Sequence, residues 1–242
     1  TIPLANSLGR ILAQDVVANV NLPPFPNSSM DGFAVRAADI TNANPNTPVS
    51  LNLVADIPAG TMSTTVIREG QAARIMTGAP LPEGADAVIP VESTDANWKP
   101  GSDETLPPAV SILRSVKSGD YVRWAGEDIH SGETIAKQGV RLRPAEIGLF
   151  ASIGQAQVCV FRQPRVAILS TGDELVDIGD ELIPGKIRDS NGYTLAALVT
   201  ETGGIPLKIP TARDTLDDVR RRFTEALEQQ PDLILSSAGV SV

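Results

Sequence analysis

The stretch Val166 to Thr194, VAILSTGDELVDIGDELIPGKIRDSNGYT, constrains this chain most, because it packs a buried-type strand, two acidic turns and a helix start into one supersecondary unit. Val166, Ala167, Ile168 and Leu169 form a continuous apolar run, the pattern of a parallel strand covered on both faces, and the run stops at Ser170-Thr171-Gly172. Asp173 and Glu174 follow at once. After a loop punctuated by Gly and Pro comes Ile187-Arg188-Asp189-Ser190-Asn191, where Asp189 or Ser190 can cap a helix continued by Tyr193, Leu195, Leu198 and Val199. Open α/β sheets bind ligands beyond the carboxyl ends of their strands, and both acidic turns fall there.

The rest of the C-terminal half repeats this alternation. A helix over Asn191–Glu201 ends at Gly203-Gly204, and Ile205–Ile209 reads as a strand. A helix over Asp214–Gln229 places Leu216, Val219, Phe223 and Leu227 on one face, and Leu233–Ser236 is the next strand. Two such units imply a parallel sheet with helices on both sides. The sequence stops at Ala238-Gly239-Val240-Ser241-Val242, where a phosphate-type loop would begin, so the sheet is expected to be unfinished.

The N-terminal half follows other rules. Leu4, Leu8, Ile11 and Leu12 recur at helical spacing, and Asp15–Val20 turns to β-type residues, which predicts a short helix and then a strand. Pro23, Pro24 and Pro26 stiffen the approach to Asp31-Gly32, where the glycine would permit a positive-φ turn displaying Asp31. On spacing alone, Asp31 simply closes that turn. Val49 to Val122 shows short β-rich pieces between Gly and Pro turns, the pattern of a small barrel or sandwich. Its loop from Met76 to Asp86 is stiff enough to hold the Thr77 hydroxyl in place, although a simple hairpin loop reads the same way. Ala96–Pro108, with Trp98, Pro100 and Gly101, reads as a surface excursion. Gly126-Glu127-Asp128 is a second acidic turn, a weak signal by itself. Glu146 belongs to the start of a helix that opens near Pro144 and stops at Gly154.

Composition narrows the function classes. A net charge of −9, from 29 acidic against 20 basic residues, argues against non-specific nucleic-acid binding, which needs a basic face. His130 is the sole histidine, which disfavours a histidine-based zinc site. Cys159 is the sole cysteine, so no internal disulfide forms; between Val158 and Val160 it reads as a small hydrophobe, and the usage suits a reducing, cytoplasmic compartment. No apolar run approaches ~18 residues, so no membrane span is expected. Small-molecule chemistry is what remains. A chain that begins at Thr1 reads as a piece of a longer protein.

Six motifs now stand in order: Pro24–Arg36 (PFPNSSMDGFAVR), Arg74–Pro80 (RIMTGAP), Gly126–Ile129 (GEDI), Ser170–Leu175 (STGDEL), Asp189–Asn191 (DSN) and Ser236–Ser241 (SSAGVS). In this order the chain closely resembles the molybdopterin molybdotransferases of the MoeA/gephyrin E-domain family, over essentially its whole length and truncated at both ends. The resemblance implies a multidomain α/β fold. Residues 1–26 and 124–155 would form a linker domain, residues 27–123 a β-rich inserted module, and residues 156–242 a partial parallel-sheet molybdopterin-binding domain. It implies hydrolysis of adenylylated molybdopterin with Mg2+ and insertion of molybdate to form molybdenum cofactor. It places Asp31, Thr77, Asp128, Asp173 and Asp189 in the active site, with Asp173 and Asp189 on the metal. Ser170, Thr171, Gly172, Ser190, Asn191, Gly239 and Ser241 would bind the cofactor substrate. It further implies a homodimer with a site shared between subunits, and a molybdopterin adenylyltransferase as a partner. Two other classes stay open: an adenylyltransferase-type nucleotide and pterin binder, which disfavours itself by having no place for the Asp31 and Thr77 motifs, and a catalytically silent gephyrin-like scaffold.

Overall fold

The computed structural model describes residues 1–96 and 106–237; Trp98, Pro100 and Gly101, like Gly239 and Ser241, lie outside the described residues. The chain divides into two compact units. One comprises Val16–Ala136 with Ser152–Gly154, the other Thr1–Asp15, Lys137–Ala151 and Gln155–Val242.

The first unit is built on a five-stranded mixed sheet: β1 (Gly32–Val35), β2 (Val49–Ile57), β3 (Gln71–Ile75), β4 (Ala87–Pro90) and β5 (Ala109–Ile112), in the order β4-β1-β3-β2-β5. This replaces the expected barrel or sandwich. The reason lies in β2 and β3, which pair in parallel: residues 58–70 supply the crossover of about a dozen residues that parallel pairing requires, where hairpins alone would have given an antiparallel module. Period-two alternation buries both faces. Phe33, Val35, Leu51, Ala72 and Ile89 share one cluster, and Ala34, Ala73, Ile75 and Val88 the other. Each large side chain in these clusters contributes about 1.5–3 kcal/mol of transfer free energy.

Gly32 is part of this sheet and has no positive φ, contrary to the turn expected at Asp31-Gly32. Its lack of a side chain serves close approach instead. A Cβ there would lie 2.0 Å from the backbone carbonyl oxygen of Ile89. Gly32→Ala should therefore cost about 2–3 kcal/mol, read as a lower urea midpoint at unchanged slope. A wild-type midpoint would contradict the close approach.

The second unit carries β6 (Arg165–Ser170), β7 (Leu175–Val176), β8 (Ile187–Arg188), β9 (Ile205–Lys208) and β10 (Leu233–Ser237), with helices α1 (Pro144–Ser152, its last residue in the other unit), α2 (Ser190–Glu201) and α3 (Leu216–Glu228). β6 runs parallel between β9 and β10 and is buried on both faces, as its unbroken apolar run predicts. Ala167 and Leu169 pack with Ala226 and Val219 of α3; Val166 and Ile168 pack with Val199 and Leu195 of α2. The buried face of α3 is thus centred on Val219 and Ala226, while Leu216, Phe223 and Leu227 of the expected stripe are exposed. At the start of α1, the Glu146 carboxylate accepts the Arg143 N–H at 2.9 Å. Hydrogen bonds from the Arg143 guanidinium hold it down to about 2.

The helix expected over Leu4–Leu12 does not form. Leu4–Asn6 makes a single 3-10 turn, and Gly9, at φ +75°, breaks the helical path. Gly9 and Leu12 then donate to the carbonyls of Leu142 and Val140. The strand expected over Asp15–Val20 is reduced to Val16–Val17, paired with Thr134–Ala136. No described helix is long and apolar enough to cross a membrane.

Candidate functional site

In the α/β unit, the carboxyl end of β6 and the start of α2 meet at one glycine. Asp189, only 3% exposed, caps α2: its Oδ1 accepts the Gly192 N–H at 2.8 Å. A Cβ on Gly192 would lie 2.3 Å from Asp189 Oδ2 and 3.1 Å from Ser170 Oγ. The bare glycine is therefore what lets the cap and the buried serine converge. Ser237 donates its hydroxyl to Ser170 Oγ at 3.2 Å, and its carbonyl accepts the Thr171 N–H at 3.0 Å. β10 thereby closes the other side.

Beyond this contact opens a cavity lined among others by Thr171, Glu174, Asp189, Ser190, Asn191 and Ser237. Four residues expected at the site share it, and Ser170 lies directly behind. Gly172 shapes the approach: it adopts φ +152° and donates its N–H to the Ala212 carbonyl at 3.1 Å. Asp173 lies elsewhere. It lines a neighbouring hollow with Lys186 and Arg213. It also exchanges hydrogen bonds with Asp214, each backbone N–H donating to the other's carboxylate at 3.2 and 3.3 Å. The carboxylate that lines the Asp189 cavity is Glu174, a residue outside the expected site set. Asp173 and Glu174 are the central residues of a turn closed by the Leu175 N–H on the Gly172 carbonyl at 3.2 Å, so the two adjacent carboxylates are sent to different places. Which of the two faces the cavity depends on the backbone at Gly172.

The β-rich unit holds the other three expected residues. Asp31 Oδ1 accepts both the Thr77 N–H at 2.7 Å and the Thr77 hydroxyl at 2.8 Å. Asp31 thus does more than close a local turn: it locks a loop 46 residues away. Backbone bonds fix that loop further, as Gly78 donates to the Ser28 carbonyl at 2.8 Å and Ser28 to the Ala79 carbonyl at 3.0 Å. Asn27–Ser28 in turn pairs with Val122–Arg123, and the Arg123 guanidinium forms an ion pair with Asp128. Both side chains of that pair are about half exposed, so it orients Asp128 more than it stabilises the fold. His130 is exposed, as expected of a surface residue.

Residues 1–154 match the family described as MoeA N-terminal region (domain I and II), and residues 167–242 match the family described as probable molybdopterin binding domain. The chain belongs to the MoeA family. Among curated MoeA relatives, it is 41% identical to molybdopterin molybdenumtransferase 2 of Mycobacterium tuberculosis (strain ATCC 25618 / H37Rv) and 39% identical to molybdopterin molybdenumtransferase of Bacillus subtilis (strain 168). In both cases all of this chain is covered, against 57% and 55% of the relatives. The chain thus spans somewhat more than half their length. Among solved structures, a molybdopterin biosynthesis MoeA protein from Pyrococcus horikoshii OT3 superposes with a TM-score of 0.85 at 30% identity, covering 99% of this chain and 61% of that one. The mixed sheet followed by a parallel-sheet unit is therefore the MoeA arrangement of a mixed α/β fold.

Proposed function

We propose that the complete protein containing this chain is a cytoplasmic molybdopterin molybdotransferase. It hydrolyses adenylylated molybdopterin and inserts molybdate into the dithiolene. The observation that carries this reading is the polar cavity at the end of β6, lined by Asp189 and Glu174 together with Thr171, Ser190, Asn191 and the cationic Arg188, with Leu175 and Ile187 as its apolar part. Such a cavity suits a phosphoanhydride. The first backbone N–H groups of α2 are available to phosphate oxygens, while Asp189 occupies only the Gly192 N–H.

Magnesium fits the donor set. Every cavity side chain that could ligate offers oxygen, and among the described residues no three His, Cys, Asp or Glu side chains converge as a cage. Magnesium characteristically takes one or two carboxylates and completes its shell with water and substrate phosphate. Asp189 would supply one carboxylate, with Glu174 or Asp173 as the second. When bound, the ion supplies neutralisation of the charge that develops as the phosphoanhydride opens. The protein's own part is orientation. Asp189 is fixed by its cap, Ser170 is fixed by Ser237, and water adds to phosphorus as AMP leaves. The two dithiolene thiols then bind molybdate: two Mo–S bonds form as both thiol protons leave with one molybdate oxygen as water, with no change of oxidation state.

By the same proposal, Asp31 and Thr77 complete the site from the second subunit of a homodimer, Asp128 belongs to the same active site, and a molybdopterin adenylyltransferase supplies the substrate. Residues 1–26 with 124–155, 27–123 and 156–242 serve as linker, inserted module and molybdopterin-binding domain. The test is AMP release from adenylylated molybdopterin by the complete protein. Release only when molybdate and Mg2+ are both present is expected. Absence of release, or ATP-dependent adenylylation of molybdopterin instead, would replace this reading by the scaffold or the adenylyltransferase.

A further inference from the structure

Between β6 and α2 the chain makes an excursion that, among the described residues, pairs through the two-residue contact of β7 with β8 and an isolated bridge from Thr171 to Ala212. Pairing this short is marginal alone. Yet the excursion sets both cavity carboxylates: the Glu174 carbonyl accepts the Ile187 N–H at 2.8 Å, and the Val176 carbonyl accepts the Asp189 N–H at 3.0 Å. The next residue, Asp177, is tied to two other elements. Its Oδ1 accepts the Tyr193 hydroxyl of α2 at 2.8 Å and the Lys208 ammonium at the end of β9 at 2.9 Å. The same ammonium lies 3.6 Å from the centroid of the Tyr193 ring. Three elements therefore close on one carboxylate.

We propose that Asp177, Tyr193 and Lys208 form a positioning clamp that pins β7 to α2 and β9, and so holds Glu174 and Asp189 toward the same cavity. The clamp residues act through those carboxylates and touch no reacting atom. This inference rests on the proposed molybdotransferase reading for its catalytic consequence only. The carboxylate stays charged throughout the neutral range: hydrogen bonds from Lys208, from Tyr193 and from the Ile178 N–H hold Asp177 at about 2. Asp180, the other acid facing it, accepts the Asp177 N–H. A cation stacked on an aromatic ring adds geometric preference as well as charge, which a lone surface ion pair lacks.

The test uses Asp177→Asn and Tyr193→Phe in the complete protein, with two readouts. Amide exchange of the segment 187–193 should speed up about tenfold in both variants, because the local opening that exposes it becomes easier. Exchange at the wild-type rate would overturn the clamp. In AMP release, Asp177→Asn should lower kcat/KM about tenfold, mainly through kcat, and by only about twofold in the Asp189→Asn background, where Glu174 alone is left to be positioned. Fully additive losses would overturn the claim that it acts through Asp189. If the wild-type protein releases no AMP, the functional reading fails, and the exchange measurement still decides the clamp.

Discussion

Asp189→Asn in the complete protein should cut magnesium-dependent AMP release by about 10²–10³-fold while moving the melting temperature by no more than about 2 °C. The substitution separates two jobs that one side chain performs. As a cap, asparagine is equivalent to aspartate, and its amide oxygen can accept the Gly192 N–H that Asp189 now accepts at 2.8 Å. As a cavity ligand it lacks the charge that a divalent ion requires. Asp189→Ala removes both and should lose about 1 kcal/mol of stability besides the activity. Normal turnover in Asp189→Asn would remove Asp189 from the site, leaving it a structural cap beside Ser170.

Much of the α/β unit is legible from residue patterns because each pattern there has one physical reading. The unbroken run Val166–Leu169, short and stopped at Gly172, has the length and flanks of a strand buried on both faces, and β6 is that strand. Asp189 precedes the helix it caps, and α2 ends just before the Gly203-Gly204 pair. Other features depend on partners distant in sequence. The Leu4–Leu12 periodicity is helical, yet tertiary pairing with Val140 and Leu142 overrides it once Gly9 takes a positive φ. The parallel register of β2 and β3 follows from a crossover, which local β propensity does not encode.

The candidate site divides in the same way. Asp31 and Thr77 each look like ordinary turn residues, and only the fold brings them into two hydrogen bonds. Asp173 and Glu174 are indistinguishable by type and adjacent in sequence. The structure separates them, with Glu174 in the Asp189 cavity and Asp173 against Asp214. Asp177, Tyr193 and Lys208 carry no motif at all, since their association requires α2 and β9 to be in place.

The proposal that the Asp31–Thr77 lock and the Asp189 cavity belong to one active site shared between subunits has a direct test. Complete chains carrying Asp31→Ala and complete chains carrying Asp189→Ala are each expected to be inactive as homodimers. After equal mixing and verified subunit exchange, about half of the dimers are hybrids. In a hybrid with shared sites, both defects fall into one site and the other is intact. AMP release should therefore recover to about a quarter of the wild-type rate. If each site lay within a single chain, every site would carry a defect, and a mixture as inactive as its two parents would contradict the account.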